Sequence, residues 1–341
     1  MWRELLDDRK QWVGYFVVVI VLHIVGFIGL WSVAMQAPLF VATGLLAYTL
    51  GLRHAFDADH IAAIDNTVRK LIRQKQNSLG VGFYFSLGHS SVVFLMVVVT
   101  AISMKWAIQE LPWLTEVGGV IGATVSGSFL LLIGGINILV LWQLVALLKR
   151  YRNGQHEDRE FEIWLARRGF FIKMLRPVFA LVSKSWHVYP LGFLFGLGFD
   201  TASEITLLVI SAGASQLGIS IWGILALPVL FAAGMSLMDT ADGIFMTKAY
   251  KWTFSSPLHK LYYNIVVTTI TVVAALIIAT VTLSRLLSEK LGWTGGLWSW
   301  MKQLDLGFLG YMLVGLFVLV WVISYNLRKY LRVQGNPNAK I

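Results

Sequence analysis

The hydrophobic pattern of the chain is a succession of long apolar runs separated by shorter polar segments. The runs lie near residues 12–35, 38–66, 79–104, 117–148, 186–212, 219–247, 261–287 and 306–327. Each reaches the ~20 residues that a helix needs to cross a bilayer. The pattern therefore predicts an all-α polytopic membrane protein of about eight transmembrane helices. Trp12, Trp31, Trp106, Trp113, Trp142, Trp186, Trp222 and Trp252 fall near the ends of these runs, where amphipathic rings anchor a helix at the interface.

The second run breaks the pattern. Leu39 to Leu52 is apolar and uncharged, but at fourteen residues it is too short to span. The chain then continues as RHAFDADHIAAIDNTVRK, Arg53 to Lys70. The span has to be completed through this charged motif, or the chain stops partway into the bilayer. Titratable groups held at membrane depth are costly and usually mark an ion pathway or a partnered polar cluster.

Composition agrees with the pattern. Of the 341 residues 57% are hydrophobic and 13% charged, against roughly 25% charged in a soluble domain. Mean hydropathy is +0.70. The first apolar run is long enough to span and shows no small-residue cleavage site, so no cleavable signal is expected. The net charge of +10 is read as the positive-inside bias rather than as a nucleic-acid surface. Twenty-three of the 28 Lys and Arg residues fall on one side of the proposed spans and four on the other, which predicts cytoplasmic termini. Cysteine is absent, so any metal must be held by nitrogen and oxygen, which disfavours soft ions.

The one long connection divides the chain. Residues 1–148 form an N-terminal half of four spans carrying the His/Asp motif, and residues 186–341 form a second half of four. The connection, 149–185, begins polar and then turns mixed apolar and basic. Phe161, Trp164, Leu165, Phe171, Leu175 and Val178 follow helical spacing there, which predicts an amphipathic helix on the cytoplasmic membrane surface. Gly118, Gly122 and Ser126, and again Gly192 and Gly196, recur four apart, the spacing that lets helices approach closely in lipid.

Of the 18 acidic residues, seven fall inside the proposed spans: Asp57, Asp59, Asp65, Asp200, Glu204, Asp239 and Asp242. Among the basic residues only Arg53 does so clearly. An interior rich in carboxylates and imidazoles suits a cation. At ~100° per residue, His54, Asp57 and His60 share one helix face, while Asp59 points about 100° from His60. If all four hold one ion, that helix is bent or unwound; a straight helix leaves Asp59 a supporting or relay role. Asp200 and Glu204 share a face at i, i+4, and Asp239 and Asp242 at i, i+3. Depth counted along each helix brings His54, His89, Asp200 and Asp239 towards one zone between the midplane and the inner leaflet. The set His54, Asp57, Asp59, His60 and His89 suits a divalent first-row ion such as Ni²⁺, Co²⁺ or Zn²⁺, with Asp200, Glu204, Asp239 and Asp242 supporting it or relaying charge. His23, His156, His187 and His259 read as packing or surface residues, and Asp65 with Asn66 as either a helix cap or a functional pair.

Two further features bear on function. FSLGHSSVVF around His89 echoes MSLMDTADGIF around Asp239, and FDADHI echoes FDTASEI around Asp200. The paired spans run in opposite directions, so the echo is either the inverted repeat common in secondary transporters or chance likeness of short segments. No Gly-x4-Gly-Lys-[Ser/Thr] motif for ATP occurs, nor the zinc-protease motif His-Glu-x-x-His.

LGLRHAFDADHIAAIDNTVRK resembles the signature of the nickel/cobalt transporter (NiCoT) family, whose second helix carries His-x4-Asp-His, here His54, Asp59 and His60. LGHSSVV at 87–93, LGFDTASEI at 197–205 and GMSLMDTADG at 234–243 match further family motifs in order. The chain is most similar to the bacterial high-affinity nickel permeases of that family. The resemblance implies a single-component, ATP-independent importer of Ni²⁺, with Co²⁺ as competitor, in the bacterial inner membrane. It implies that the second-span residues and His89 recognise the metal, which is cargo rather than cofactor, and that no ATPase subunit is required. Two other classes stay open: a histidine-box membrane metalloenzyme, and a proton-coupled cation exchanger in which the carboxylates alone matter.

Overall fold

The apolar runs become helices. In the computed structural model the described residues are 2–102, 104–152, 182–198, 202–251, 257–304 and 306–334, and all regular structure among them is helical. In chain order the helices are α1 (Trp2–Ala34), α2 (Pro38–His54), α3 (Ala58–Arg73), α4 (Val81–Ile102) and α5 (Met104–Arg152), then α6 (Val188–Gly196), α7 (Ala202–Gln216), α8 (Ile221–Lys251), α9 (Pro257–Lys290), α10 (Gly296–Gln303) and α11 (Leu306–Gln334). Five of them, α1, α4, α5, α8 and α9, are long and apolar enough to cross a membrane, or up to seven spans if each bent pair, α2–α3 and α10–α11, is one. The chain is a multi-pass membrane protein. The expected surface helix between the halves lies outside the described residues, as does Asp200.

The second span is not the single helix expected over 38–66. It stops at His54 and restarts at Ala58, with a bend of 51° between the two pieces. Asp57 sits at the N-cap of α3 with extended backbone, φ −64° and ψ 141°. Its carboxylate does not cap the helix, however, because it is taken by His54 Nδ1 at 2.8 Å. The backbone N–H of His60 instead donates to Asp59 Oδ1 at 3.0 Å, satisfying one of the donors a helix start leaves open. The expected fifth span is also in two pieces, α6 and α7, on either side of 197–201.

Glycines let backbones meet where the halves cross. A Cβ added at Gly51 of α2 would stand 2.1 Å from Phe231 O, and one at Gly234 of α8 would stand 2.6 Å from Tyr48 O and 3.0 Å from Leu52 N. The α4–α6 crossing has the same construction. A Cβ at Gly192 would meet Phe85 O at 2.0 Å, and one at Gly88 would meet Tyr189 O at 2.1 Å and Phe193 N at 2.9 Å. Both crossings thus use a Tyr-x-x-Gly segment against a Phe-x-x-Gly segment. Between them α4 and α8 run antiparallel, with Ser86 Oγ donating to Ser236 Oγ at 3.1 Å and Ser78 paired to Thr247 at 3.0 Å. The α4–α8 pair therefore sits between the two broken spans and holds both breaks against one central zone.

Candidate metal site

Three imidazoles meet in that zone. His54 comes from the end of α2, His60 from the first turn of α3 and His89 from the middle of α4, with relative exposures of 1%, 0% and 3%. Each offers a ring nitrogen such that the three lie within 4.8 Å of one another. The break makes this possible, because bending the chain between His54 and His60 brings their ring centroids to 4.6 Å. His54 Nε2 and His89 Nε2 are 2.9 Å apart. Two nitrogens each about 2.1 Å from one ion and at right angles to it would be separated by about 3 Å.

Carboxylates fix the rings. His54 Nδ1 lies 2.8 Å from Asp57 Oδ2, and His60 Nδ1 lies 3.2 Å from Asp239 Oδ2 on α8. In both, the Nδ1–H donates to a carboxylate and Nε2 points away from it; ligating histidines are commonly oriented in this way. His60 Nε2 is buried without a hydrogen-bond partner. Leaving a buried polar atom unpaired costs about 1–3 kcal/mol, a cost that a ligand on Nε2 would offset. Glu204, 1% exposed, places Oε1 2.8 Å from His89 Nε2 and 3.9 Å from His54 Nε2. It adds a buried carboxylate oxygen to the imidazole group.

The sequence-derived set is thus divided. His54, His60 and His89 come together, and Asp57, Glu204 and Asp239 touch them. Asp59 is engaged by the start of α3. Asp242 lies beyond the cluster on the wall of a cavity of about 200 Å³, where its Oδ2 has no hydrogen-bond partner. Asp65 and Asn66 do not cap a helix end. They lie inside α3, where Tyr250 donates to Asp65 Oδ1 at 2.5 Å and Asn137 Nδ2 donates to Asn66 Oδ1 at 2.5 Å. His23 bridges Val19 O and the Tyr48 hydroxyl between α1 and α2, a helix-packing contact.

Arg53, the basic residue expected within a span, is exposed, whereas Arg69 and Lys70, expected at the surface, are 6% and 5% exposed. Gly310 carries no polar signal, yet a Cβ there would stand 1.7 Å from Phe56 O in the α2–α3 break. The last helix therefore closes against the break through a residue whose importance only a three-dimensional contact reveals.

Comparison with known proteins identifies the family. The family model NicO, described as high-affinity nickel-transport protein, matches residues 40–327. The nickel transporter NixA of Staphylococcus aureus is 52% identical over 96% of this chain and 97% of its own length. Nickel transporter NicT of Mycobacterium tuberculosis is 46% identical over 94% of this chain and 89% of its own. The cobalt transport protein NhlF of Rhodococcus rhodochrous is 39% identical over 92% and 91%. No solved structure matches the chain. With the family model covering most of the chain and relatives aligned almost end to end, the protein belongs to the NicO family of high-affinity nickel-transport proteins.

Proposed function

We propose that this protein is an ATP-independent permease that imports Ni²⁺ across the bacterial cytoplasmic membrane, with Co²⁺ as a competing cargo. The observation that carries the reading is the convergence of three buried imidazoles, two of them held by carboxylates so that Nε2 faces the centre. His54, His60 and His89 supply nitrogen to the ion, and Glu204 supplies oxygen. Asp57 and Asp239 fix ring orientation and add negative charge. Asp59, Asp200 and Asp242 relay or rebalance charge as the ion moves. A nitrogen–oxygen set without thiolate matches Ni²⁺ and Co²⁺, in line with the names of the relatives.

Eight spans complete the reading: α1, α2 with α3, α4, α5, α6 with α7, α8, α9 and α11. Both termini are then cytoplasmic, which the basic residues favour. The two halves form an inverted repeat, supported by the matching glycine crossings at Gly51–Gly234 and Gly192–Gly88. Transport proceeds by alternating access around the imidazole cluster, as in other repeat-built carriers whose sites lie at the repeat interface.

Ni²⁺ uptake by cells carrying His54→Ala, Asp59→Ala or His89→Ala at equal membrane abundance tests the site. Loss of uptake is expected for both histidine variants, with a smaller loss for Asp59→Ala; wild-type uptake in all three would sink the assignment. Retained transport in His54→Ala and His60→Ala would favour an exchanger that works through its carboxylates.

A further inference from the structure

Beyond the imidazole cluster, α3 and α8 run on side by side towards the basic end of the molecule. The order of polar groups along this interface is His60 with Asp239, then Asp242 and its cavity, then a second buried network. In that network the Tyr250 hydroxyl donates to Asp65 Oδ1 at 2.5 Å and accepts from Arg69 Nη2 at 2.6 Å. Arg69 Nη1 donates to Thr268 Oγ1 of α9, and Arg69 lies 4.0 Å from Asp65 Oδ2. Asp65 and Thr268 are 0% and 2% exposed. Arg69 is nine residues past His60, about 14 Å along the helix.

We propose that Asp65, Arg69, Tyr250 and Thr268 form the closed inner gate of the transport path. The proposal rests on the reading of the imidazole cluster as a transport site. A guanidinium does not lose its proton in a protein, so a divalent cation leaving the site along α3 and α8 meets a fixed like charge in a poorly screened setting. Passage requires α9 and the end of α8 to part from α3, which breaks the Thr268 and Tyr250 bonds and frees Asp65 to face the ion. The closure is one-sided. After the other broken span, α7 holds no Lys or Arg, and Glu204 is its one charged residue.

The chain lacks cysteine, so one introduced thiol reports accessibility in the full-length protein. Met246 is 3% exposed on α8, between Asp239 of the cluster and Tyr250 of the gate, and lines the same cavity as Asp242. Met246→Cys is labelled with a charged, membrane-impermeant maleimide in inside-out and in right-side-out vesicles, alone and combined with Tyr250→Phe or Thr268→Val. Both second changes remove gate hydrogen bonds while nearly preserving shape, so either one serves if the other fails to fold. The expected result is a tenfold or greater rise in labelling rate from the cytoplasmic face only. An unchanged rate, or an equal rise from both faces, overturns the gate. Wild-type Ni²⁺ uptake tests the transport reading separately: uptake without any shift in labelling removes the gate and leaves the permease.

Discussion

At the scale of single residues, carboxylates hold two of the three imidazoles by Nδ1. Asp57 takes the Nδ1–H of His54 and Asp239 takes that of His60. An amide in place of Asp57 can present a donor to Nδ1 and favour the wrong tautomer. Asp57→Asn should therefore weaken Ni²⁺ binding about 10–100-fold, the usual cost of losing a partner behind a ligand. Calorimetry on purified protein checks this, and Asp59→Asn, whose contact is to a backbone N–H, should cost less. Acid should act in the same direction. Imidazoles bind metal only when neutral. Binding should therefore weaken as pH is lowered, as read from Ni²⁺ titrations at a series of pH values and fixed ionic strength. The residue types of the cluster were readable in the sequence. Their partners were not, since His60 meets Asp239 across 179 positions of sequence.

At the scale of elements, the decisive feature is the interrupted second span. Helical periodicity placed Asp59 off the ligand face and so required either a bend or another role. A gap of three residues inside a continuous run leaves no periodic signature, so the pattern could raise the alternative without deciding it. The structure contains both answers, a bend and a local partner for Asp59. The same reasoning explains Arg69 and Lys70. A basic cluster after an apolar run reads as surface, but α3 turns inward after the break and buries it. The break itself is held by α11 at Gly310. Gly310→Ala should reduce Ni²⁺ affinity several-fold while membrane abundance stays normal, because the added carbon meets the carbonyl of Phe56; uptake rates across a range of Ni²⁺ concentrations measure it. Gly88→Val, which overfills the α4–α6 crossing, should instead lower thermal stability in detergent, by about 1–3 kcal/mol.

At the scale of the whole molecule, the composition alone identified a membrane protein and the motifs identified its chemistry. The sequence echo and the paired glycine contacts differ in register. The sequence likeness aligns His89 with Asp239, while the duplicated backbone contacts align Gly88 with Gly234, four residues out of step. Contact geometry depends on small residues and not on the polar residues that attract the eye. An ATP-independent permease of the kind proposed would draw on the membrane potential. A divalent cation gains about 4.6 kcal/mol per 100 mV, twice the single-charge value. Ni²⁺ accumulation in proteoliposomes should accordingly rise with an inside-negative potassium diffusion potential and fall when valinomycin is used to clamp it to zero. Accumulation indifferent to potential would point to a compensating ion.

The depth at which the three imidazoles are sealed also bears on throughput. An ion held by several nitrogens in a dry pocket is released slowly, since the rate of release is the product of capture rate and dissociation constant. With capture near a ceiling of about 10⁸ M⁻¹s⁻¹, each tenfold gain in affinity lowers the ceiling on release tenfold. Exposures of 0–3% at His54, His60 and His89 therefore favour holding an ion over passing it quickly.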